Sequence, residues 1–505
     1  MKPVLALISA AVLAACSVGP NYHRPETEAP PVWLNTDTAF YADTAGTLAD
    51  TTWWDLFGDT VLARLVTVGL QENLDVRVAA ARVEELMGRY GVAKSDFFPK
   101  VDASGTAMHG QFGYAGEGGT AERPTRDYFS VHLSAGWEID LWGKIRRASE
   151  AAKADLLATE EARRGVVLST ISLIATSYID LLAYDRQLEI TRQTVEARQQ
   201  TLEMFRQRRE KGDLSELEYS QAESEYWYAV AQIPVIEKNI AFLENEINFL
   251  LGRNPGTIAR GRVLDSLVLP EVPVGMPSAL LERRPDVRFA EEQLRAANAR
   301  IGVAKSLYFP SISLSGLFGF ASPELSVLLQ SNSTVWDVSG GVFQPIFHWG
   351  EIKGQVKASE GVQKQALYTY VSTVRNAFRE TEDALTNRSR TGEQVEAQGH
   401  RTDALATYAR LAQMRYDEGV TSYLEVLDAE RALLATQQDY TRSKADLYKS
   451  VVGVYRSLAG GWLDSAAIVS FQIENVEPRY ETAPPPAPPD TSAQEAPPAP
   501  AEPGQ

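Results

Sequence analysis

Cysteine is almost absent: Cys16 is the single one in 505 residues. That excludes an intrachain disulfide and any cysteine-based metal cluster. The five histidines, His23, His109, His132, His348 and His400, are scattered without metal-ligand spacing, so no metal and no cofactor are expected. Basic charge is in deficit, 49 Lys and Arg against 66 Asp and Glu, for a net charge of −17. Nucleic acid is therefore not an expected partner, because phosphate binding needs clustered Lys and Arg. No nucleophile–base pair or phosphate loop is recognisable, so an enzyme is not expected. Beyond the N-terminus no run of some 18 apolar residues stands out, and no transmembrane helix is expected.

What is present begins with an export signal. Met1-Lys2 is a short basic region and Val4 to Ala15 an apolar one, too short to span a bilayer. It ends Leu13-Ala14-Ala15-Cys16, similar to a bacterial lipobox, in which the cysteine is lipidated. An ordinary signal peptide with a chance cysteine is the alternative. Residues 1–15 are read as signal peptide and 16–59 as a lipidated N-terminal segment, Pro- and Thr-rich from Gly19 to Asp50.

Two kinds of periodicity then alternate. Leu62 to Ser95 reads as one helix, ended by Phe97-Phe98-Pro99. In Tyr128 to Trp142 the odd positions are Phe129, Val131, Leu133, Ala135, Trp137, Ile139 and Leu141, with Ser130, His132, Ser134, Glu138 and Asp140 between them. A strand of this length, apolar on one face and polar on the other, suits a transmembrane barrel. Val101 to Tyr114 is a weaker partner, and a soluble hairpin packed on a globular core is the alternative. His132, Glu138 and Asp140 are read as solvated, lumen-facing groups rather than an active site. Lys144 to Lys211 is one helical pattern of roughly 100 Å, and Ser215 to Leu251 a second helix, containing Pro234.

The pattern then recurs. Gly91-Val92-Ala93-Lys94-Ser95 returns 211 residues on as Gly302-Val303-Ala304-Lys305-Ser306, and Trp142-Gly143 returns 207 on as Trp349-Gly350. Ile312 to Phe320 and Trp336 to Phe347 are the third and fourth strands, Glu351 to Glu418 the second long helix, and Ser422 to Leu458 its partner. Residues 60–251 and 277–459 are thus two repeats joined by a connector, 252–276. Residues 460–482 form a C-terminal segment, and 483–505 a Pro/Ala/Glu-rich tail expected to be disordered.

Each long helix ends at a hairpin turn with glycine, serine and glutamate equally spaced: Gly212, Ser215, Glu218 and Gly419, Ser422, Glu425. Glycine closes the first helix and Ser with Glu forms a capping box on the second. Asp428 has no counterpart, since Gln221 holds its place in the first hairpin.

Four strands cannot close a barrel, and an open edge in lipid is costly, so other copies of the chain must complete it. Three copies give twelve strands and twelve helical staves. The expected fold is therefore an α+β membrane protein: a trimeric 12-stranded transmembrane β-barrel continued by a long α-helical barrel, with an internal two-fold repeat.

The segments Cys16-Ser17-Val18-Gly19-Pro20-Asn21-Tyr22-His23-Arg24-Pro25, Trp53-Trp54 and Leu280-Leu281-Glu282-Arg283-Arg284-Pro285-Asp286 resemble signatures of TolC-like outer-membrane efflux proteins, in particular NodT-type lipoproteins. That resemblance implies a homotrimer in the outer membrane, extending into the periplasm. It implies a periplasmic adaptor and an inner-membrane RND-type transporter as partners, and passive conduction of small molecules such as drugs. It also implies a periplasmic gate, with Asp428 and Glu425 at lumen-facing acidic positions, Glu218 an acid of the first hairpin, and Tyr416 in the closing network. Thr421 stands where some members carry a basic residue. A duct for type I protein secretion and a structural coiled-coil lipoprotein are the alternatives.

Overall fold

The computed structural model describes residues 18–31, 33–34, 52–111, 125–271 and 280–459. The signal peptide, Cys16, the loop 112–124 between the first two strands, residues 460–482 and the tail lie outside the described residues.

After a 3-10 turn at Trp53–Phe57 come α1 (Thr60–Glu72), α2 (Leu74–Ser95), β1 (Lys100–Gln111), β2 (Thr125–Ile139), α3 (Lys144–Glu210) and α4 (Glu216–Leu250). The second half supplies a helical turn at Leu280–Arg283, α5 (Pro285–Ser306), β3 (Ser311–Ser322), β4 (Thr334–Phe343), α6 (Glu351–Asp417) and α7 (Tyr423–Leu458). Both long helices have 67 residues, about 100 Å of rise.

The single helix expected over Leu62–Ser95 is two. Asn73 takes an extended conformation, its side chain accepts the Val76 N–H, and its amide donates to Leu250 O at 2.8 Å. One residue thus ends α1, caps α2 and joins α2 to the end of α4. Its counterpart is Arg284, buried at the start of α5, which donates to Ser457 O at 3.2 Å and pairs with Asp286 at 2.7 Å and Glu380 at 2.6 Å. So α2 abuts α4, α5 abuts α7, and α3 packs against all four, while α6 packs on α5 and α7. An 18-residue window of α3 does pass for a membrane span by composition, contrary to expectation, but 72% of it is buried. Its apolar side chains, Ile171, Ile174, Tyr178 and Leu181 among them, fill the core around Trp53, Phe57 and Tyr455.

The strands form one antiparallel sheet in the order β1-β2-β3-β4, leaving β1 and β4 as edges. The fourth strand ends at Phe343, short of the expected Phe347, because Gln344 turns its amide onto Tyr308 O at 3.2 Å and Pro345 has no N–H to pair. Register puts Ala103, Leu133, Phe318 and Trp336 in one row across the sheet, and this apolar face is exposed. The other face carries Ser104 hydrogen-bonded to His132 at 2.8 Å and Ser315 to Ser339 at 2.9 Å. Asp140 is more than a solvated group: its carboxylate accepts the Ile145 and Arg146 N–H at 3.0 and 2.9 Å and caps α3.

Residues 18–31 run as a strap over α3 and α5. Val18 N–H donates to Trp142 O at 3.0 Å. Asn298 donates to Pro20 O at 3.0 Å, Arg147 to Asn21 at 2.8 Å and Tyr22 to Glu291 at 3.2 Å. At Gly19, with φ +109°, a side chain would stand 2.5 Å from Gly302 Cα, so two glycines let the backbones touch.

Candidate functional site

The two hairpins place the predicted residues together at the far end of the long helices. Gly212 and Gly419 are left-handed, with φ of 80° and 72°. Behind them the chain closes identically: Gly212 N–H bonds Arg209 O and Asp213 N–H bonds Arg208 O, as Gly419 bonds Tyr416 O and Val420 bonds Arg415 O, each at 2.9 Å.

Beyond the glycines the hairpins diverge. Ser215 and Glu218 form the expected capping box. Ser422 makes no side-chain cap, so the second box is absent. Glu425 instead binds the Thr421 hydroxyl and the Arg415 guanidinium, the latter at 3.1 Å. Thr421 explains the difference: the equivalent position in the first hairpin is Leu214, which has no hydroxyl to compete for the carboxylate. Glu425 is therefore a neutralised, partly buried acid. Asp428, one turn on, is exposed and makes no hydrogen bond or ion pair among the described residues.

Tyr416 sits in an aromatic knot that fastens the hairpins to each other. Phe205 of α3 meets Tyr423 at 4.6 Å and Tyr416 at 6.1 Å, and the tyrosines meet at 5.4 Å. Burial raises the Tyr416 pKa, Glu218 adds to the rise and Arg208 opposes it. The phenol is therefore a neutral hydrogen-bonding group.

Farther from the turns lies a charged cluster that sequence reasoning missed. Arg198 of α3 and Glu225 of α4 are both buried; the guanidinium donates to Glu225 O at 2.7 Å and meets its carboxylate at 3.1 Å. Arg431 of α7 donates to the same carboxylate at 2.7 Å. Burial raises the pKa of the adjacent Glu430, with Arg198 opposing and Glu225 reinforcing. The signal was present: Thr191, Arg198 and Phe205 recur every seven residues on the buried side of α3, so a cation occupies a core position. Thus α3, α4 and α7 are tied by charge where α3, α6 and α7 are tied by aromatics. No group of three or more His, Cys, Asp or Glu suited to a metal occurs among the described residues.

The same architecture occurs in known proteins. A family profile described as outer membrane efflux protein matches residues 65–253 and 276–460. The solvent efflux pump outer membrane protein SrpC of Pseudomonas putida is 35% identical over 470 residues, covering 91% of this chain and 98% of SrpC. The probable outer membrane lipoprotein SilC of Salmonella typhimurium is 31% identical, over 91% of this chain and 99% of SilC. The solved structure of the outer-membrane channel OprN superposes with a TM-score of 0.82 at 30% identity, over 89% of this chain and all of that one. The chain belongs to the outer membrane efflux protein family, whose place is the outer membrane and whose work is transport.

Proposed function

We propose that three copies of this chain close a twelve-stranded barrel continued by twelve helical staves, a passive duct for small molecules. The observation that carries this reading is the open sheet. Its apolar face is exposed across four strands, its two edges are unpaired among the described residues, and each unsatisfied backbone group in hydrocarbon costs several kcal/mol. The helical wall is open in the same way: Tyr228, Val235, Phe242 and Phe249, seven residues apart on α4, form an exposed coiled-coil seam among the described residues. That face sets the duct above a structural coiled-coil lipoprotein, and the efflux names of its relatives set it above type I protein secretion. We read residues 60–251 and 277–459 as duplicated halves, supported by the recurring element order.

Energy for export comes from an inner-membrane RND-type transporter reached through a periplasmic adaptor, as befits a relative of efflux-pump components. The cargo class suggested by the name of SrpC is solvents. Cys16 is the lipid-anchor site. Support comes from Val18, two positions along the sequence, whose N–H is bonded to Trp142 O just beyond the end of β2.

The gate is at the hairpins. Asp428 is its exposed acid, Glu425 and Tyr416 hold the second hairpin in shape, and Glu218 caps the first. Three exposed carboxylates around a narrow mouth attract cations. In planar bilayers the purified protein is expected to form cation-selective channels, and Asp428→Ala is expected to lower that selectivity and weaken block by divalent cations. Unchanged selectivity and block in Asp428→Ala would remove the acid from the constriction; absence of any conductance would remove the duct.

A further inference from the structure

The ends of α3, α5 and α6 that adjoin the sheet carry small side chains where the three helices meet. Ala148, Ala151 and Ala152 of α3, Ala304 of α5 and Ala358 with Ser359 of α6 leave a recess of about 610 Å³. Small-molecule sites usually run to roughly 300–1,000 Å³. Two charged groups line it, Asp155 of α3 and Arg300 of α5, and they pair with each other. Burial pushes the Asp155 carboxyl up, and Arg300 opposes the rise. A pair of this kind leaves no net charge for a charged ligand to meet. A carboxylate with about four lone-pair sites and a guanidinium with five N–H groups still keep positions for a hydroxyl or an amide.

The recess opens on the inner side of the wall. The strap that leads from Cys16 lies on α5 at Glu291, Asn298 and Gly302. The recess takes Arg300, Ala304 and Leu307 of the same helix. Each step of two residues, 298 to 300 or 302 to 304, turns about 200° around a helix, so strap and recess occupy opposite faces. Leu307 also lines the cleft at the foot of the sheet, together with Glu138, Ser311 and Phe343. By register these three share the face of His132, Ser315 and Ser339, turned away from the apolar rows. With the apolar rows in lipid, that face and the recess below it line the duct. All of its walls come from one chain, so each copy carries a whole site.

We propose that this recess is a resting site for cargo and takes an uncharged amphiphile, its apolar ring body against the alanines and its hydroxyl or amide on the Asp155–Arg300 pair. Alanine walls offer apolar surface without projecting groups, so the site selects by charge and bulk. The inference rests on the duct reading and adds to it a binding step just below the barrel.

Cysteine protection in the purified full-length protein in liposomes tests it. Ser359→Cys is a near-isosteric change in the recess wall, and Ser339→Cys, on the polar face of β4, is the control outside it. Reaction with a methanethiosulfonate is followed in the presence of 2-naphthol, 2-naphthoate or 2-naphthylmethylammonium, three charges on one ring body, with the parent as blank for Cys16. Bound ligand slows labelling by the factor 1 + [L]/Kd, about fivefold at four times Kd. At that concentration 2-naphthol is expected to slow Ser359→Cys about fivefold and leave Ser339→Cys unchanged, with either ion slowing it less than about twofold. Ala152, only partly buried, can become leucine, a good helix former, and Ala152→Leu is expected to fill the recess and abolish protection. Arg300→Gln leaves Asp155 without its cation and is expected to make 2-naphthylmethylammonium protective. Equal protection by all three probes overturns the uncharged class. Protection that persists in Ala152→Leu, or that extends to Ser339→Cys, overturns the site. No protection in a protein that conducts in planar bilayers overturns the site and leaves the duct. A protein that does not conduct overturns the duct and the resting site with it.

Discussion

Glu225→Ala is expected to destabilise the hairpin end by about 3–5 kcal/mol, the cost of leaving a buried cation without its counter-charge. Arg198 has a side chain only 4% exposed, and Glu225 one only 6% exposed. Two of the three guanidinium nitrogens, Nε and Nη2, lack hydrogen-bond partners among the described residues, so when the carboxylate goes only the Nη1 bond to the Glu225 carbonyl remains. Glu430 is a second carboxylate close enough to Arg198 to feel its charge, and its own burial disfavours the charge it would need to compensate. Its help places the single variant at the lower end of the range. Glu225→Ala with Glu430→Gln should then cost more than the two changes summed, because the residues share a partner. Amide exchange is the direct readout. At about 1.4 kcal/mol per factor of ten, amides flanking Arg198 and Glu225 should exchange on the order of 10²-fold faster. Arg198→Leu with Glu225→Leu should recover most of the loss, since apolar packing of similar volume often replaces a buried pair without penalty. Unchanged exchange in Glu225→Ala would show that water already solvates the pair.

Asp59→Ala is expected to cost roughly 3 kcal/mol or more at the mid-height of the long helix α3. One carboxylate oxygen accepts the Val61 and Leu62 N–H at 2.8 and 3.2 Å and caps α1. The other accepts the Tyr178 hydroxyl at 3.1 Å and the Arg262 N–H at 2.8 Å. Tyr178 in turn accepts the Gly261 N–H at 2.9 Å. A single buried acid therefore joins the start of α1, the middle of α3 and the connector after α4. A side chain at Gly261 would stand 2.1 Å from Asp59 Oδ1, so the connector reaches the acid only as glycine. Alanine at 59 strands a buried phenol and a backbone N–H together. Thermal unfolding followed by helical circular dichroism should shift to lower temperature, with Asp59→Asn losing less than half as much. An Asp59→Ala protein within 0.5 kcal/mol of the parent would refute the hub role.

The architecture was legible in the sequence because its periods are long and unambiguous. Sixty-seven residues without proline leave little but helix, and Phe129 to Ile139 alternate too regularly for anything but strand. What escaped was local competition between partners. Asn73 looked like one polar residue in a helix, and its cap is visible only once Leu250 arrives beside it from 177 residues away. Glu425 looked like a capping acid, and Thr421 with Arg415 outbid the backbone for it. Asp140 lies one residue past β2, so alternation assigned it to the polar face, while helix α3 claimed it as a cap. Arg198 was hidden by its type, since a cation in a core row is legible only when the row is already known.

The two joints described above make the staves mechanically unequal. At Asn73–Leu250 and Arg284–Ser457 two separate helices meet end to end through side-chain bonds, whereas α3 and α6 run past the same level unbroken. The wall of one chain is thus continuous along two helices and jointed along the other two. At each joint a side-chain bond, Asn73 to Leu250 or Arg284 to Ser457, stands where the long helices have an unbroken backbone ladder.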